Sequence, residues 1–164
     1  MSSSEQSAPP GNEAFRSLPR KRIGAGVVAV DTQGQVLLVE PTHKDYWEAP
    51  GGIVEPRESP RSCAHRETRE ELGLDVTVGR LLVIDWVPVG FMPDDGLMLL
   101  YAVESFDTSQ IVLPVEELRS WKWCDREAMK ERVPDHHYRR LIAATSALTS
   151  GTVLELENGY TVFG

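Results

Sequence analysis

The stretch from Gly52 to Leu74 constrains this chain more than any other, because it sets three glutamates on one turn of a helix whose ends the sequence itself marks. Ser59 is an N-cap residue type able to accept from free backbone N–H groups. Pro60 follows at the first helical position, where no N–H is missed, and Gly73 supplies a left-handed stop. The predicted helix runs from about Pro60 to Leu72. On it Glu67, Glu70 and Glu71 stand at i, i+3 and i+4, so their carboxylates share one face. Left alone they repel one another, and those in the last turn also meet carbonyls that disfavour anions. A divalent cation reverses that sign. An all-oxygen donor set suits a hard ion, Mg²⁺ or Mn²⁺, which keeps several waters and shares its remaining positions with substrate phosphates. The competing reading is a solvated helix face on which Arg57, Arg61, Arg66 and Arg69 pair with the acids.

The full spacing separates the two readings. Gly52, five residues, Glu58, seven residues, Arg66-Glu67, two residues, Glu70-Glu71, one residue, Gly73 and then apolar Leu74 resembles the signature of the Nudix hydrolases. Seven fixed positions at ordinary residue usage coincide by chance in about one window in 10⁸. Thr68 occupies a slot that is usually aliphatic in the family, and the approach Trp47-Glu48-Ala49-Pro50-Gly51 is also similar to the family's. The resemblance covers about residues 22–145. It implies an α/β chain with the Nudix fold, a mixed β-sheet sandwiched between helices, and metal-dependent hydrolysis of a diphosphate linked to another moiety. Carried over by position, it implies metal ligation by Glu67, Glu70, Glu71 and the Gly51 carbonyl. Glu58 and Gly52 would support that shell, and Arg66 would orient Glu67. An acidic residue ahead of the Trp121–Trp123 strand often reaches the metals in the family, and spacing leaves Glu116 and Glu117 both open for it. The general base is Glu67 or Glu70, with Glu116 or Glu117 in reserve. Two alternatives stay open: a non-catalytic sensor of nucleotide metabolites, which would normally have lost signature acids, and a hydrolase or isomerase of prenyl diphosphates.

The chain length of 164 residues and the 41% hydrophobic content suit one domain with a packed core. A formal net charge of −8 argues against long nucleic acid, whose phosphates need a basic stripe, so a small phosphorylated substrate would be received together with metal. Cys63 and Cys124 lack zinc-site spacing or a disulfide framework and predict a reducing compartment, the cytoplasm. No stretch has the length of a signal-peptide core or a membrane span.

Residues 1–20, rich in Ser, Pro, Glu and Gly, are expected to form a flexible tail, with the catalytic domain over 21–150. Val27–Val30 and Val36–Val39 read as a hairpin about Asp31–Gly34, Val76–Val87 as one long or two broken strands, and Leu97–Ser105 as another. Asp125 is placed to cap a short helix. A terminal helix follows from Pro134 to about Ser150, with Tyr138, Leu141, Ile142 and Leu148 roughly on one face. His136 and His137 near its start read as solvated residues. Residues 151–164 add a C-terminal β-hairpin: Asn158-Gly159 is the preferred pair for a type I′ turn, placing Leu154 and Leu156 on a face with Thr161 and Phe163. An apolar face of that kind should dock on its own domain or across a homodimer. The loop Pro88–Gly96 is long enough to line a substrate pocket, with Phe91 and neighbouring Trp86 and Tyr46 for stacking, and Asp94 and Asp95 as acceptors for base or sugar donors. These features favour a nucleoside diphosphate derivative as substrate.

Overall fold

The computed structural model describes residues 13–162. The first twelve residues of the expected tail, and Phe163, therefore lie outside the described residues. Where the tail was expected to end, Glu13–Arg16 forms a single-turn helix, α1. The remaining strands and α-helices are β1 (Arg22–Val28), β2 (Val36–Pro41), β3 (Gly51–Ile53), α2 (Pro60–Leu72), β4 (Val78–Val87), β5 (Gly96–Val103), β6 (Leu118–Cys124), α3 (Arg126–Arg132), α4 (Asp135–Ser150), β7 (Leu154–Glu157) and β8 (Tyr160–Thr161), with a 3-10 turn at Thr108–Gln110.

Six strands make one mixed sheet in the order β3-β1-β5-β4-β7-β8, and β2 pairs with β6 apart from it. The expected hairpin of β1 and β2 is thus only a corner. Asp31 Oδ1 accepts from the Gln33 and Gln35 amides, and the turn closes with Gly34 at a φ of 80°. Beyond the Val30–Val36 bridge, however, β2 leaves for β6, from Val36 opposite Cys124 to Glu40 opposite Ser120. Apolar runs on both strands satisfy either pairing.

Helices cover both faces of the large sheet. Cys63 and Ala64 of α2 pack with Ala25, Val27 and Tyr101 on one side, while Leu141, Ala144 and Ala147 of α4 pack with Val83, Leu100 and Leu156 on the other. Leu148 departs from the expected stripe of α4 and is exposed, because the inward face runs through Arg140, Ala144 and Ala147. Asp125 caps α3, its Oδ1 accepting from the Ala128 amide at 2.8 Å.

The C-terminal hairpin docks on its own domain. β7 runs parallel to β4, from Val83 opposite Leu154 to Trp86 opposite Glu157, and Leu156 pairs with Thr161 across a turn in which Asn158 and Gly159 both take positive φ. Gly159 N–H also donates to Asp85 Oδ1 at 3.0 Å, in the interior. Ending the chain at Gly151 would unpair one edge of β4, expose Leu156 and leave a buried carboxylate short of a donor. The expected result is a fall in Tm of about 8 °C or more in a thermal scan. An unchanged Tm would show that the hairpin contributes nothing to the domain.

Candidate active site

The glutamate helix is held as its sequence requires. Ser59 Oγ accepts from the Ser62 amide at 3.1 Å, and Gly73 ends the helix at a φ of 69° with its N–H on Arg69 O at 2.9 Å. Thr68 is fully buried and turns its hydroxyl onto the Ala64 carbonyl at 2.7 Å, so a polar residue fits a slot meant for an aliphatic one. The facing element is β3, antiparallel to β1 with Gly51 opposite Gly26 and Gly52 opposite Ala25. A methyl group on Gly52 would lie 2.3 Å from Glu67 Oε1, and one on Gly51 would lie 2.6 Å from Ala25 O. The bend is glycine because a carboxylate and a neighbouring strand occupy the space.

Arg66 organises the acids. Its Nε and Nη2 grip Glu58 at 2.8 and 2.9 Å, while Nη1 reaches Glu67 Oε1 at 2.8 Å and Glu70 Oε2 at 3.1 Å. Nη2 also donates to Ile53 O at 3.3 Å, tying the helix to the bend. That fork holds the Glu58 carboxyl down near 2. Glu67, by contrast, is raised, because its burial outweighs the attraction of Arg66.

Glu71 has no such partner. It is buried, and among the described residues its Oε2 has no hydrogen-bond partner. Burial first, then the charges of Glu48 and Glu67, push its carboxyl up to about 9, against opposing contributions from the Gly51 amide and Lys44. Among the described residues, no three acidic, imidazole or thiol groups are gathered close enough to enclose an ion, and Arg66 bridges Glu67 and Glu70. An all-oxygen set with one buried, unsatisfied carboxylate nevertheless fits a hard divalent cation, which would take the place of the proton that burial leaves on Glu71.

Gly51, Gly52 and Glu48 open onto a cavity of ≈ 310 Å³ that extends over Met98 and Leu97 to the first turns of α4. Of the residues singled out in the sequence for the substrate, Tyr46, Phe91 and Asp94 line it. Trp86 and Asp95 do not: the Trp86 indole N–H donates to Asp95 Oδ2 at 2.9 Å, and Lys21 holds the same oxygen. The pair is occupied with itself, so neither side chain is free for the substrate contact expected of it. Glu116 and Glu117 are exposed and also lie off the cavity, with their backbone carbonyls accepting from Thr42. His136 and His137 contradict the solvated reading; both are partly buried and line the cavity. Sequence reasoning also passed over Asp85 and Arg140, which form a buried ion pair at 2.6 Å. A signal existed, since Asp85 interrupts the run Leu81–Val87 at a position in phase with inward-facing Val83.

The profile of the NUDIX domain matches residues 20–144. The chain belongs to the Nudix family. Among curated relatives, this Nudix chain is 43% identical over 63 residues to the CTP pyrophosphohydrolase of Escherichia coli, covering 36% of this chain and 47% of that one. It is 41% identical over 66 residues to diphosphoinositol polyphosphate phosphohydrolase 2 of Rattus norvegicus, covering 40% of this chain and 37% of the relative. The alignments thus span less than half the length of these relatives. The fold is shared with a UDP-X diphosphatase structure at a TM-score of 0.71 and 15% identity, over 88% of this chain and 70% of that one. The solution structure of the E. coli ORF135 protein matches at a TM-score of 0.63 and 26% identity, over 80% and 93%.

Proposed function

We propose that this Nudix chain is a metal-dependent pyrophosphohydrolase that cleaves a nucleoside diphosphate linked to another moiety. The observation that carries the reading is the buried Glu71 carboxylate, one oxygen of which has no partner among the described residues, beside Glu67 and the Gly51-Gly52 bend that lines a cavity with aromatic rings. Glu67, Glu70 and Glu71, with the Gly51 carbonyl, would hold Mg²⁺ or Mn²⁺. Such an ion lowers the pKa of a bound water and offsets the charge that builds on the phosphate oxygens. The chain's own residues do the rest. Glu58 locks Arg66, and Arg66 fixes one oxygen each of Glu67 and Glu70. That leaves the second oxygen of Glu67 or of Glu70 to take a proton from the attacking water. Gly52, lacking a side chain, lets Glu67 lie against the bend. Arg22 and Lys44 are cationic residues of the same cavity that would receive phosphate. Phe91 and Tyr46, with ring centroids 5.6 Å apart, would form a wall for a base.

The buried free thiols Cys63 and Cys124 suit a cytoplasmic location. Among the described residues no helix is long and apolar enough to cross a membrane. The division into a flexible tail over 1–20, a Nudix domain over 21–150 and a hairpin over 151–164 packed on that domain is part of this proposal.

A substrate panel with Mg²⁺ tests it, comparing nucleoside triphosphates, sugar nucleotides, dinucleoside polyphosphates and prenyl diphosphates by phosphorus NMR of the products. Cleavage of nucleotide pyrophosphate bonds that stops in EDTA is expected. Turnover of non-nucleotide diphosphates alone would remove the nucleotide part, and turnover undiminished by EDTA would remove the metal part.

A further inference from the structure

One part of the cavity gathers Tyr46 and Phe91 with three side chains that the hydrolytic reading leaves without a task, His136, His137 and Arg140. Four rings meet there edge to face. Phe91 lies 5.6 Å from Tyr46 and 5.3 Å from His136, and His137 lies 5.6 Å from Tyr46 and 4.4 Å from His136. One helical turn beyond His136, on the same face of α4, stands Arg140, which lines the cavity and is only 6% exposed.

Arg140 is half used. Its Nε donates to Asp85 Oδ2 at 2.6 Å, whereas Nη2 is buried and, among the described residues, has no partner. Asp85, fully buried, meets Arg140 only through Nε, while its second oxygen accepts from Gly159 N–H at 3.0 Å. A guanidinium donor left dry and unpaired is costly, and such groups are usually satisfied by protein, water or ligand. The cavity that Arg140 lines is where such a partner would come from.

We propose that Arg140 is a specificity-determining residue that donates from its free guanidinium edge to a carbonyl oxygen of a nucleobase packed against the Tyr46, Phe91, His136 and His137 rings. The inference rests on the nucleotide reading of the same site and adds the class of base. Three observations favour a neutral carbonyl over a phosphate as the acceptor. The positive charge of Arg140 is already matched by Asp85 at contact distance. Burial and Arg140 both lower the two imidazoles, His137 to about 3, so near neutral pH they are uncharged rings rather than anion ligands. The adjoining lining, Leu97, Met98 and Leu141, is apolar, and Lys44, whose Nζ lies 5.6 Å from the Tyr46 ring centroid, is paired with Glu48 at 2.8 Å. Uracil, cytosine and guanine each carry a ring carbonyl and adenine carries none. The site should therefore discriminate against adenine, since a base that cannot accept leaves the donor as unsatisfied as it is in the empty pocket.

The test compares kcat/KM for UTP, CTP and GTP with that for ATP in the full chain with Mg²⁺, in wild type and two variants. Arg140→Lys keeps a cation for Asp85 but removes the planar fork. The double variant Asp85→Asn/Arg140→Met removes both charges at similar volume and retains an acceptor for the Gly159 amide, so it keeps the question open to measurement should the single change destabilise the fold. The expected result is a wild-type preference for at least one carbonyl-bearing base over adenine of tenfold or more. In both variants that ratio should fall by about tenfold, with the change in KM rather than kcat. Folded variants with the wild-type ratio would overturn the proposal and reduce Arg140 to an anchor for the hairpin, as would a wild type indifferent to adenine. Those results leave the nucleotide reading standing. A wild type that turns over no nucleotide overturns both.

Discussion

Glu71→Gln is expected to lower kcat by about 10² or more while making the metal-free protein more stable at alkaline pH. The two effects have one cause. In wild type the Glu71 carboxyl is raised from 4.5 to about 9 by burial and by the charges of Glu48 and Glu67. Between those values the folded state holds a proton that the unfolded chain releases, so its contribution to stability is complete below about pH 4.5 and is lost as pH rises through about 9. Thermal scans in EDTA should show the wild-type Tm falling by about 5 °C or more from pH 6 to pH 9, with a flatter profile for the variant. Mg²⁺ should restore the loss in wild type only, since a ligand that binds the folded state stabilises it by mass action. A variant with wild-type kcat, or with the wild-type pH profile in EDTA, would show that Glu71 is neither a ligand nor an uncompensated charge.

Arg66→Leu should be the most damaging single change outside the proposed ligands, lowering activity by about 10² or more and Tm by about 10 °C. Arg66 contacts Glu58 with two nitrogens, Glu67 and Glu70 with a third, and the Ile53 carbonyl of the bend. Its loss would leave Glu58 and Glu67 without their counter-charge. The pH dependence has the opposite sign from that of Glu71. Glu58 is held near 2 chiefly by the hydrogen bonds of Arg66, so its stabilising contribution is present above about 4.5 and is lost as pH falls through about 2. Acid unfolding of the variant should begin at higher pH than that of wild type. Arg66→Lys should recover little, because one ammonium cannot form the bidentate contact and reach Glu67 and Glu70 as well. Near-native activity in either variant would contradict the organising role given to this side chain.

The parts legible in the sequence were those written locally. Ser59 and Pro60 mark one end of α2 and Gly73 the other, each through its own backbone preference, and Asn158-Gly159 specifies its own turn. What was not legible depended on which distant strand or side chain arrives. β1 and β2 are apolar enough to pair with each other, yet they are shared out between two sheets, a choice made by the strands that flank them. Trp86 and Asp95 look free for substrate until Lys21, 74 residues away in the chain, is brought to them. His136, His137 and Arg140 are polar residues at the start of a helix and look solvated. They become cavity lining because Asp85, in the middle of an apolar strand, offers Arg140 an interior partner.

The central claim, a divalent cation held by the glutamates of α2, is tested most directly by titrating Mn²⁺ into metal-free protein and following the free ion by electron paramagnetic resonance. Wild type should take up Mn²⁺ saturably in competition with Mg²⁺, and Glu71→Gln should weaken that uptake by about tenfold or more while remaining folded. Equal Mn²⁺ binding by wild type and the folded variant, or none by wild type in the presence of a nucleotide substrate, would contradict the account.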